Sequence, residues 1–381
     1  MRAHVTTFKR QTFIICTQLA LLLLLICPVA ACGSLSTSTA STASSTTTTQ
    51  GSSNTSAQAA TGSFQEFALP QMNSGLMRPA IDAQGRLWFG EMNQNLLGSF
   101  DPRTGKFWQQ TPPGGKWGIM GTVAAPDSTI WFAEQYADYI GHYFPQTGQY
   151  RTYPLPTLHM PDPSNAGRIL SLPSAPNDLA LDKHGILWFT EMNANAIGSL
   201  DTANGSIRQY PIPGAKKGQT LNPYGITVDL QGTIWFTEAS TDHLGRLNPA
   251  TGQFRFFTPP GVTSTLMEVA SDAQGQIWAT MFATGQLLRF NPKSAGFTMY
   301  NAPAFDGNPG GLYGITVATN GDIWVTVPSE NILARFDRKE QRFFYYTIPT
   351  PNSQPIGLVE GPNQTIWFTE SASNKIGMLQ P

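Results

Sequence analysis

Five glutamates recur at one place in a repeated phrase, each three residues after a tryptophan, and they are the first residues here that could do chemistry. They are Glu91, Glu134, Glu191, Glu238 and Glu370. Brought together, such carboxylates would favour a hard divalent cation, Mg²⁺ or Ca²⁺, and their repulsion would raise some of their pKa values. The alternative is structural, with each glutamate accepting hydrogen bonds from backbone N–H groups. Repetition favours that alternative, because one site rarely needs five equivalent carboxylates.

A second set of residues lies eleven positions before each repeated tryptophan. Its members are Met77, Met120, Asn177, Tyr224, Met267, Tyr313 and Ile356, and Arg78, Asp178 and Glu268 follow directly after three of them. Methionine and tyrosine suit an adaptable apolar ligand surface, although they could equally plug a central opening. Met281 replaces the glutamate in the fifth copy of the phrase. The predicted ligand-binding residues are Tyr224, Tyr313, Met120, Met267, Met281 and Asn177.

The repeat predicts the elements that position both sets. Its seven tryptophans, 43 to 57 residues apart, are Trp88, Trp131, Trp188, Trp235, Trp278, Trp324 and Trp367. Each unit contains four short apolar runs separated by turns rich in Gly, Asn and Asp, without helical periodicity. An all-β fold follows, a seven-bladed β-propeller with four antiparallel strands per blade. The repeated tryptophan is then a core residue between neighbouring blades.

The two ends of the repeat array predict how the ring closes. The seventh unit stops after its third strand, and Ser63–Pro70 resembles the fourth-strand phrase of Ser206–Pro213. We therefore expect the N-terminal strand to complete the last blade and remove an exposed sheet edge. In every unit, the first strand begins and the second strand ends at the same face. That face is the predicted axial mouth, and the long connector from Thr157 to Ser174 lies beside it.

The residues before the repeats predict export. Residues 1–31 combine Arg2, Lys9 and Arg10 with a long apolar stretch and small residues before a cysteine, as in a lipoprotein signal peptide. Lipid on Cys32 would hold the protein at the outer side of the cell membrane. Residues 32–62 are mostly Ser and Thr and read as a disordered tether. The propeller itself would span residues 63–381 and contains no cysteine, hence no disulfide.

The charge composition limits the classes of binding partner. Without the signal segment the chain carries 20 basic and 24 acidic residues, and it has no basic run. Nucleic acid is excluded, because phosphate binding needs clustered Lys and Arg. We expect a monomer that contacts the membrane only through its lipid and binds a small molecule or peptide at the axial mouth.

At the level of motifs, the chain resembles the streptogramin B lyase, or virginiamycin B lyase, family. The resemblance rests on Trp235-Phe236-Thr237-Glu238, on Asn193–Gly198 and on Tyr224-Gly225-Ile226. It implies a magnesium-assisted elimination that opens a cyclic depsipeptide at its ester without adding water. It also implies catalytic residues at the mouth of the last two blades.

Matching by repeat phase transfers the family's site only in part. The family's two inner-strand histidines would fall on Tyr313 and Ile356. Its first glutamate would fall on Gln354, and its general-base histidine on Ala372. Glu370 alone is retained and is the one candidate catalytic residue. We therefore favour a binding propeller. One alternative is a metal-dependent enzyme, either the lyase or a lactone hydrolase resembling gluconolactonase propellers. The metal ligands of such a hydrolase would be Glu91, Glu134, Asn177, Glu191 and Glu370. The other alternative is a purely structural scaffold.

Overall fold

The structure is a computed structural model that describes residues 57–114, 118–161, 169–215, 219–261, 264–302, 304–305 and 308–381. The predicted signal segment, Cys32 and the tether up to residue 56 lie outside the described residues. Among the residues that are described, none forms a helix with the length and apolar character needed to cross a membrane.

Seven four-stranded antiparallel sheets follow one another along the chain, which confirms the predicted seven-bladed β-propeller. Blade 1 contains Ala80–Ile81, Leu87–Glu91, Leu96–Asp101 and Lys106–Gln110; blade 2 contains Ile119–Ala124, Ile130–Glu134, Tyr139–Phe144 and Gln149–Pro154; blade 3 contains Pro176–Leu181, Ile186–Glu191, Ala196–Asp201 and Ile207–Pro211. Blade 4 contains Pro223–Val228, Ile234–Glu238, His243–Asn248 and Gln253–Phe257; blade 5 contains Leu266–Ser271, Ile277–Met281, Gln286–Asn291 and Gly296–Asn301. Blade 6 contains Ile315–Val317, Ile323–Val327, Ile332–Asp337 and Arg342–Thr347; blade 7 contains Pro355–Glu360, Ile366–Glu370, Lys375–Gln380 and, from the N-terminus, Ser63–Ala68.

Short elements decorate this ring. Two small hairpins lie in the connectors after blades 2 and 5, formed by Leu158–Pro161 with Ile169–Leu172 and by Ala304–Phe305 with Asn308–Pro309. Single 3₁₀ turns span Pro328–Glu330 and Pro362–Gln364. The first of the hairpins occupies the long connector that was expected beside the mouth.

The N-terminal strand closes the ring as predicted. Ser63–Ala68 pairs antiparallel with Lys375–Gln380, and the inner strand of blade 7 contacts that of blade 1. Gln58–Ala59, which precedes the expected boundary at Ser63, adds a parallel strand to the outer edge of blade 6.

The repeated tryptophans pack between blades, so their predicted structural role is confirmed. Trp235, for example, lies 5.6 Å from Phe290 of blade 5, measured between ring centroids. In blades 1, 3, 4 and 5 the indole Nε1 also donates to an aspartate six residues earlier, at 2.8–3.0 Å. The other carboxylate oxygen of that aspartate accepts backbone N–H groups of the turn, as Asp229 does from Gln231 and Thr233.

In five blades a phenylalanine follows the repeated tryptophan, and its ring packs over a glycine of the third strand. In blade 4 a Cβ built at Gly245 would lie 2.2 Å from Cζ of Phe236, so only glycine leaves room for the ring. Blade 5 has the opposite arrangement, in which Ala279 faces Leu288. In each pair a large side chain on one strand faces a small residue on the other, so that together they fill the same core volume. Close packing requires that this volume be filled.

The turns between the second and third strands have the predicted conformation. The residue seven positions after each tryptophan has positive φ, from 48° at Asn195 to 62° at Asp138. At Asp138, Asn195, Asp242, Asn331 and Asn374 the side chain also binds the connector that leads to the next blade. Asn195 donates to the Gln219 carbonyl and accepts from the Leu221 N–H, both at 2.7 Å. These contacts hold the start of the next inner strand at the mouth.

Candidate functional site

Three predicted ligand-binding residues meet at the ring axis, and we call Tyr224, Met267 and Tyr313 the axial group. They come from blades 4, 5 and 6 and are buried together in one cluster. The two phenol hydroxyls are hydrogen-bonded to each other, and the rings meet edge-on with centroids 6.2 Å apart. Two aromatic hydroxyls and a thioether therefore converge from three different blades.

Backbone contacts from neighbouring blades hold the axial tyrosines in place. The carbonyl of Tyr224 accepts hydrogen bonds from the Thr190 hydroxyl at 2.9 Å and from Nδ2 of Asn177 at 3.0 Å. The carbonyl of Tyr313 accepts one from the Thr280 hydroxyl at 2.7 Å. Asn177, predicted as a ligand contact, therefore supports the axial group from beside it.

Partly buried apolar side chains, which we call the rim, pack against the axial group. They are Met192, Phe282 and Ile356. Phe282 meets Tyr313 edge-on at 6.3 Å between centroids. Sequence reasoning missed Met192 and Phe282 as site residues. Both stand four residues after a repeated tryptophan, so that position was the available signal.

A buried ion cluster adjoins the axial group. Nε of Arg78 donates to Oε1 of Glu268 at 2.6 Å, and Asp178 lies 3.8 Å away from the same guanidinium. The guanidinium carbon also lies 4.9 Å from the ring centroid of Tyr224, a cation–π distance. The side chains of Arg78, Asp178 and Glu268 are only 8–13% exposed. Blades 1, 3, 4 and 5 are thus connected through charged and aromatic groups at the axis.

Glycines stand at the equivalent position of the other blades. They are Gly121, Gly225, Gly314 and Gly357. The inner strands approach so closely that a Cβ at Gly314 would lie 2.3 Å from the Ile356 carbonyl oxygen. Glycine at these positions therefore allows the inner strands of neighbouring blades to pack closely around the axis.

A β-bulge in the inner strand brings two consecutive residues to the axis. In blade 5 the pairing passes from Leu266 opposite Met281 to Val269 opposite Ala279, which leaves one extra residue on the inner strand. Met267 and Glu268 lie in that bulge, and both contact axial residues. Bulges commonly re-aim side chains in this way.

Burial and charge set the protonation of the cluster. Burial raises the pKa of Glu268 to about 7, although Arg78 opposes that shift. Burial lowers the pKa of Arg78, but Glu268 and Asp178 raise it more, so the guanidinium stays charged. Burial also raises the pKa of both axial tyrosines. At neutral pH the phenols are therefore neutral, and Glu268 holds a proton more readily than an ordinary glutamate.

The five repeated glutamates do not line the axis. They are completely buried, and the hydrogen bonds of four of them lie within their own blade. Glu91 accepts from Gln109 at 2.6 Å and Glu191 from Gln209 at 2.5 Å, both on the outermost strand. Glu238 lies 3.0 Å from Nδ1 of His243. Strand alternation puts each glutamate on the face of its phenylalanine, so the carboxylate extends outward across the blade.

Comparison with known proteins places this architecture in a family. A family model described as the virginiamycin B lyase family matches residues 32–312. The chain belongs to the virginiamycin B lyase family. Among curated proteins, none is significantly similar to this chain.

Solved structures of the same family superpose on the propeller. A streptogramin B lyase shares 26% identity, with 84% of this chain and 97% of that chain covered and a TM-score of 0.73. A catalytically inactive His-to-Ala variant of virginiamycin B lyase from Staphylococcus aureus, solved with quinupristin, shares 25% identity over 84% and 100%, also at 0.73. Hydrazine synthase of Kuenenia stuttgartiensis, 11% identical over 82% and 97% with a TM-score of 0.63, shares the fold alone.

The residues matched by phase to the virginiamycin B lyase site lie at or beside the mouth. Tyr313 belongs to the axial group and Ile356 to the rim. The carbonyl of Gln354 accepts the N–H of Ser371, and Ala372 follows in the same turn. Glu370 is buried and accepts a hydrogen bond from Ser373 at 2.9 Å.

The donors present do not fit the magnesium ion that the family resemblance implies. Among the described residues, no three His, Cys, Asp or Glu side chains come close enough to hold one metal ion. Glu370 is the one carboxylate at a matched position, and burial raises its pKa to about 7, as it does for Glu191. Both groups therefore hold a proton more readily than an ordinary carboxylate.

The other predicted ligand contacts, Met281 and Met120, are not part of the cluster formed by the axial group and the rim. Met281 packs with Trp235 and Leu266 in the core between blades 4 and 5. Met120 is buried at the start of its inner strand in blade 2.

Proposed function

We propose that this protein binds a small molecule or peptide at the axial mouth, through the axial group and the rim. The observation that carries the proposal is the convergence of Tyr224, Met267 and Tyr313 beneath partly buried apolar side chains. Methionine and aromatic side chains adapt to ligands of different shape, and the two phenols supply polar contacts. Apolar surfaces with few, convergent polar groups are typical of small-molecule sites.

Binding without ester opening is supported by the residues at the matched catalytic positions. Tyr313, Ile356 and Ala372 stand where the resemblance places histidines. None of them can accept a proton from a substrate at neutral pH in the way a histidine does. The Staphylococcus aureus variant that lost a histidine to alanine is catalytically inactive, yet it was solved with quinupristin. A family member can therefore hold such a ligand without turning it over.

Methionine methyl groups provide a direct test. The protein would be labelled with ¹³C at its methionine methyls and titrated with quinupristin and with a set of short cyclic peptides. We expect the resonances of Met192 and Met267 to shift, while those of Met281 and Met299 in the blade 5 core stay in place. Met267→Ala should weaken binding about tenfold, since it removes the dispersion contacts of the thioether with the ligand. Met281→Ala is the matched control.

Two outcomes would reject the proposal. The first is the detection by mass spectrometry of ring-opened quinupristin that forms with Mg²⁺ and not with EDTA, in which case the enzyme alternative replaces the proposal. If no probe moved the Met192 or Met267 resonance at millimolar concentration, the axial group would instead be a structural plug.

We further propose that the protein is held outside the membrane by lipid on Cys32. The support is the apolar stretch that ends in small residues before this cysteine, and the Ser/Thr-rich segment after it. Metabolic labelling with an alkyne fatty acid should mark the wild-type protein, and Cys32→Ala should abolish the label. A Cys32→Ala protein that stayed labelled and membrane-bound would contradict this proposal.

A further inference from the structure

A polar cleft of about 360 Å³ lies between blades 5 and 6, on the face opposite the axial mouth. Its walls come from the turns between the first and second strands of both blades and from the turn between the third and fourth strands of blade 6. Trp278 forms part of its apolar wall. Its volume lies at the lower end of the range for small-molecule sites.

Arg338 builds this cleft by crossing from blade 6 to blade 5. Its Nη1 lies 2.6 Å from Oδ2 of Asp272 and 2.7 Å from Oε1 of Gln274. Four of the other five turns of this kind have proline at the same position, namely Pro102, Pro145, Pro249 and Pro292. Proline cannot reach a neighbouring blade, so those interfaces lack this ion pair.

The carboxylates of the cleft are already paired within the protein. Oδ2 of Asp272 accepts Nε1 of Trp278 at 2.9 Å as well as the Arg338 guanidinium. Asp322 lies 3.3 Å from Nη1 of Arg335. Neither carboxylate is therefore left to neutralise a further cation in the cleft.

Two further cations in the cleft have no such partner. Arg289 donates to the Thr298 hydroxyl at 3.1 Å, and its guanidinium carbon lies 5.9 Å from the ring centroid of Trp278. Lys339 also lines the cleft. Among the residues that the structure describes, neither Arg289 nor Lys339 forms an ion pair with a carboxylate. The cleft therefore has a surplus of positive charge beside an aromatic wall.

We propose that this cleft binds a small anion that carries a carboxylate or phosphate group. Arg289 offers a planar fork of N–H donors, which matches either group, and Lys339 adds a second charge. The side-chain amides of Gln276 and Asn320 line the same space and supply neutral donors. This site is independent of the axial mouth, from which the height of the propeller separates it.

Calorimetric titration of the full protein with citrate and with inorganic phosphate tests the proposal. Ionic strength is held constant with chloride, so that general screening does not change between injections. We expect saturable binding of at least one anion, and the comparison decides between carboxylate and phosphate chemistry. Arg289→Met and Lys339→Gln should each weaken binding about tenfold, as expected for a charged hydrogen bond of about 1.5–3 kcal/mol.

The repeat supplies matched controls for both variants. Arg246 occupies the same strand position in blade 4, with its guanidinium carbon 5.7 Å from the ring centroid of Trp235. Lys293 occupies the turn position in blade 5 that Lys339 has in blade 6. Arg246→Met and Lys293→Gln should leave the affinity unchanged, and thermal unfolding would verify that every variant folds.

Three results would overturn the inference. One is the absence of saturable heat with either anion up to about 10 mM, which corresponds to affinity too weak for a built site. Another is an equal loss of affinity in the control variants, which would indicate diffuse surface charge. The third is full affinity in an Arg289→Met, Lys339→Gln double variant.

Discussion

Blade 4 should accept the pair of core residues that blade 5 uses at the same place. Phe236 covers Gly245 so closely that any Cβ there would overlap the ring, whereas blade 5 has Ala279 opposite Leu288. The informative change is therefore Phe236→Ala combined with Gly245→Leu. Each single change leaves the pair with too little or too much side-chain volume. The double change restores the total volume, with the large residue now on the third strand.

The expected magnitudes follow from that geometry. Phe236→Ala leaves a ring-sized cavity and should cost about 3–5 kcal/mol of unfolding free energy. Gly245→Leu forces a side chain into space that Phe236 fills, which should cost about 1–3 kcal/mol or more. In the double variant leucine occupies the vacated volume. The coupling energy should then be favourable by about 2–3 kcal/mol, the upper part of the range for residues in contact.

Urea unfolding of the wild type, both single variants and the double variant measures this coupling. Tryptophan fluorescence reports the transition, because Trp235 neighbours the exchanged pair. The reciprocal exchange in blade 5, Ala279→Phe with Leu288→Gly, should show a coupling of the same sign. Should the double variant lose as much stability as the two single variants together, the shared-volume explanation of the third-strand glycine fails.

Two further predictions concern closure and pH. Deleting Ser63–Ala68 removes the outer strand of blade 7 with the partly buried Phe64 and Phe67. This deletion should lower Tm by roughly 5–10 °C. An unchanged Tm would refute ring closure by this strand. Glu191, Glu268 and Glu370 have folded pKa values of about 7 against an ordinary 4.5. Since the folded state binds these protons more tightly, their contribution to stability is full below about pH 4.5 and is lost as pH rises through 7. The urea midpoint of unfolding should fall from pH 5 to pH 8. Glu191→Gln and Glu370→Gln should flatten this dependence on pH, whereas Glu340→Gln, at an exposed position, should not. If all three variants showed the same pH dependence as the wild type, the raised pKa values would not be its cause.

Local patterns were enough to predict the fold because each records a short-range constraint. The tryptophan spacing marks units that can bury their faces only against copies of themselves. The residue seven positions later must adopt positive φ, which Asn, Asp and Gly tolerate. The N-terminal phrase matched an outer strand by composition alone. None of these inferences required knowing which side chains meet.

The site was predicted less well, because distance along a strand does not specify direction. Counting along the strands placed the glutamates at one level of the ring, yet Glu91 and Glu191 extend to hydrogen-bond partners on the fourth strand. The same counting placed Tyr224, Met267 and Tyr313 at the start of their inner strands, where the structure packs them together. The inner-strand bulge that also brings Glu268 there leaves no mark in the periodicity of the sequence.

The amino-acid sequence by itself determined the number of blades and their turns, since these depend on neighbours along the chain. It also identified the strand that closes the ring, because Ser63–Pro70 repeats the fourth-strand phrase that the last unit lacks. Tertiary structure alone decided that Arg78, Asp178 and Glu268 meet at the axis, and that Arg338 bridges blades 5 and 6. Those residues are 60 or more positions apart, and only the closed ring brings them within a few ångströms. Coulombic and hydrogen-bonding forces act at that range, so the chemistry of this protein depends on ring closure.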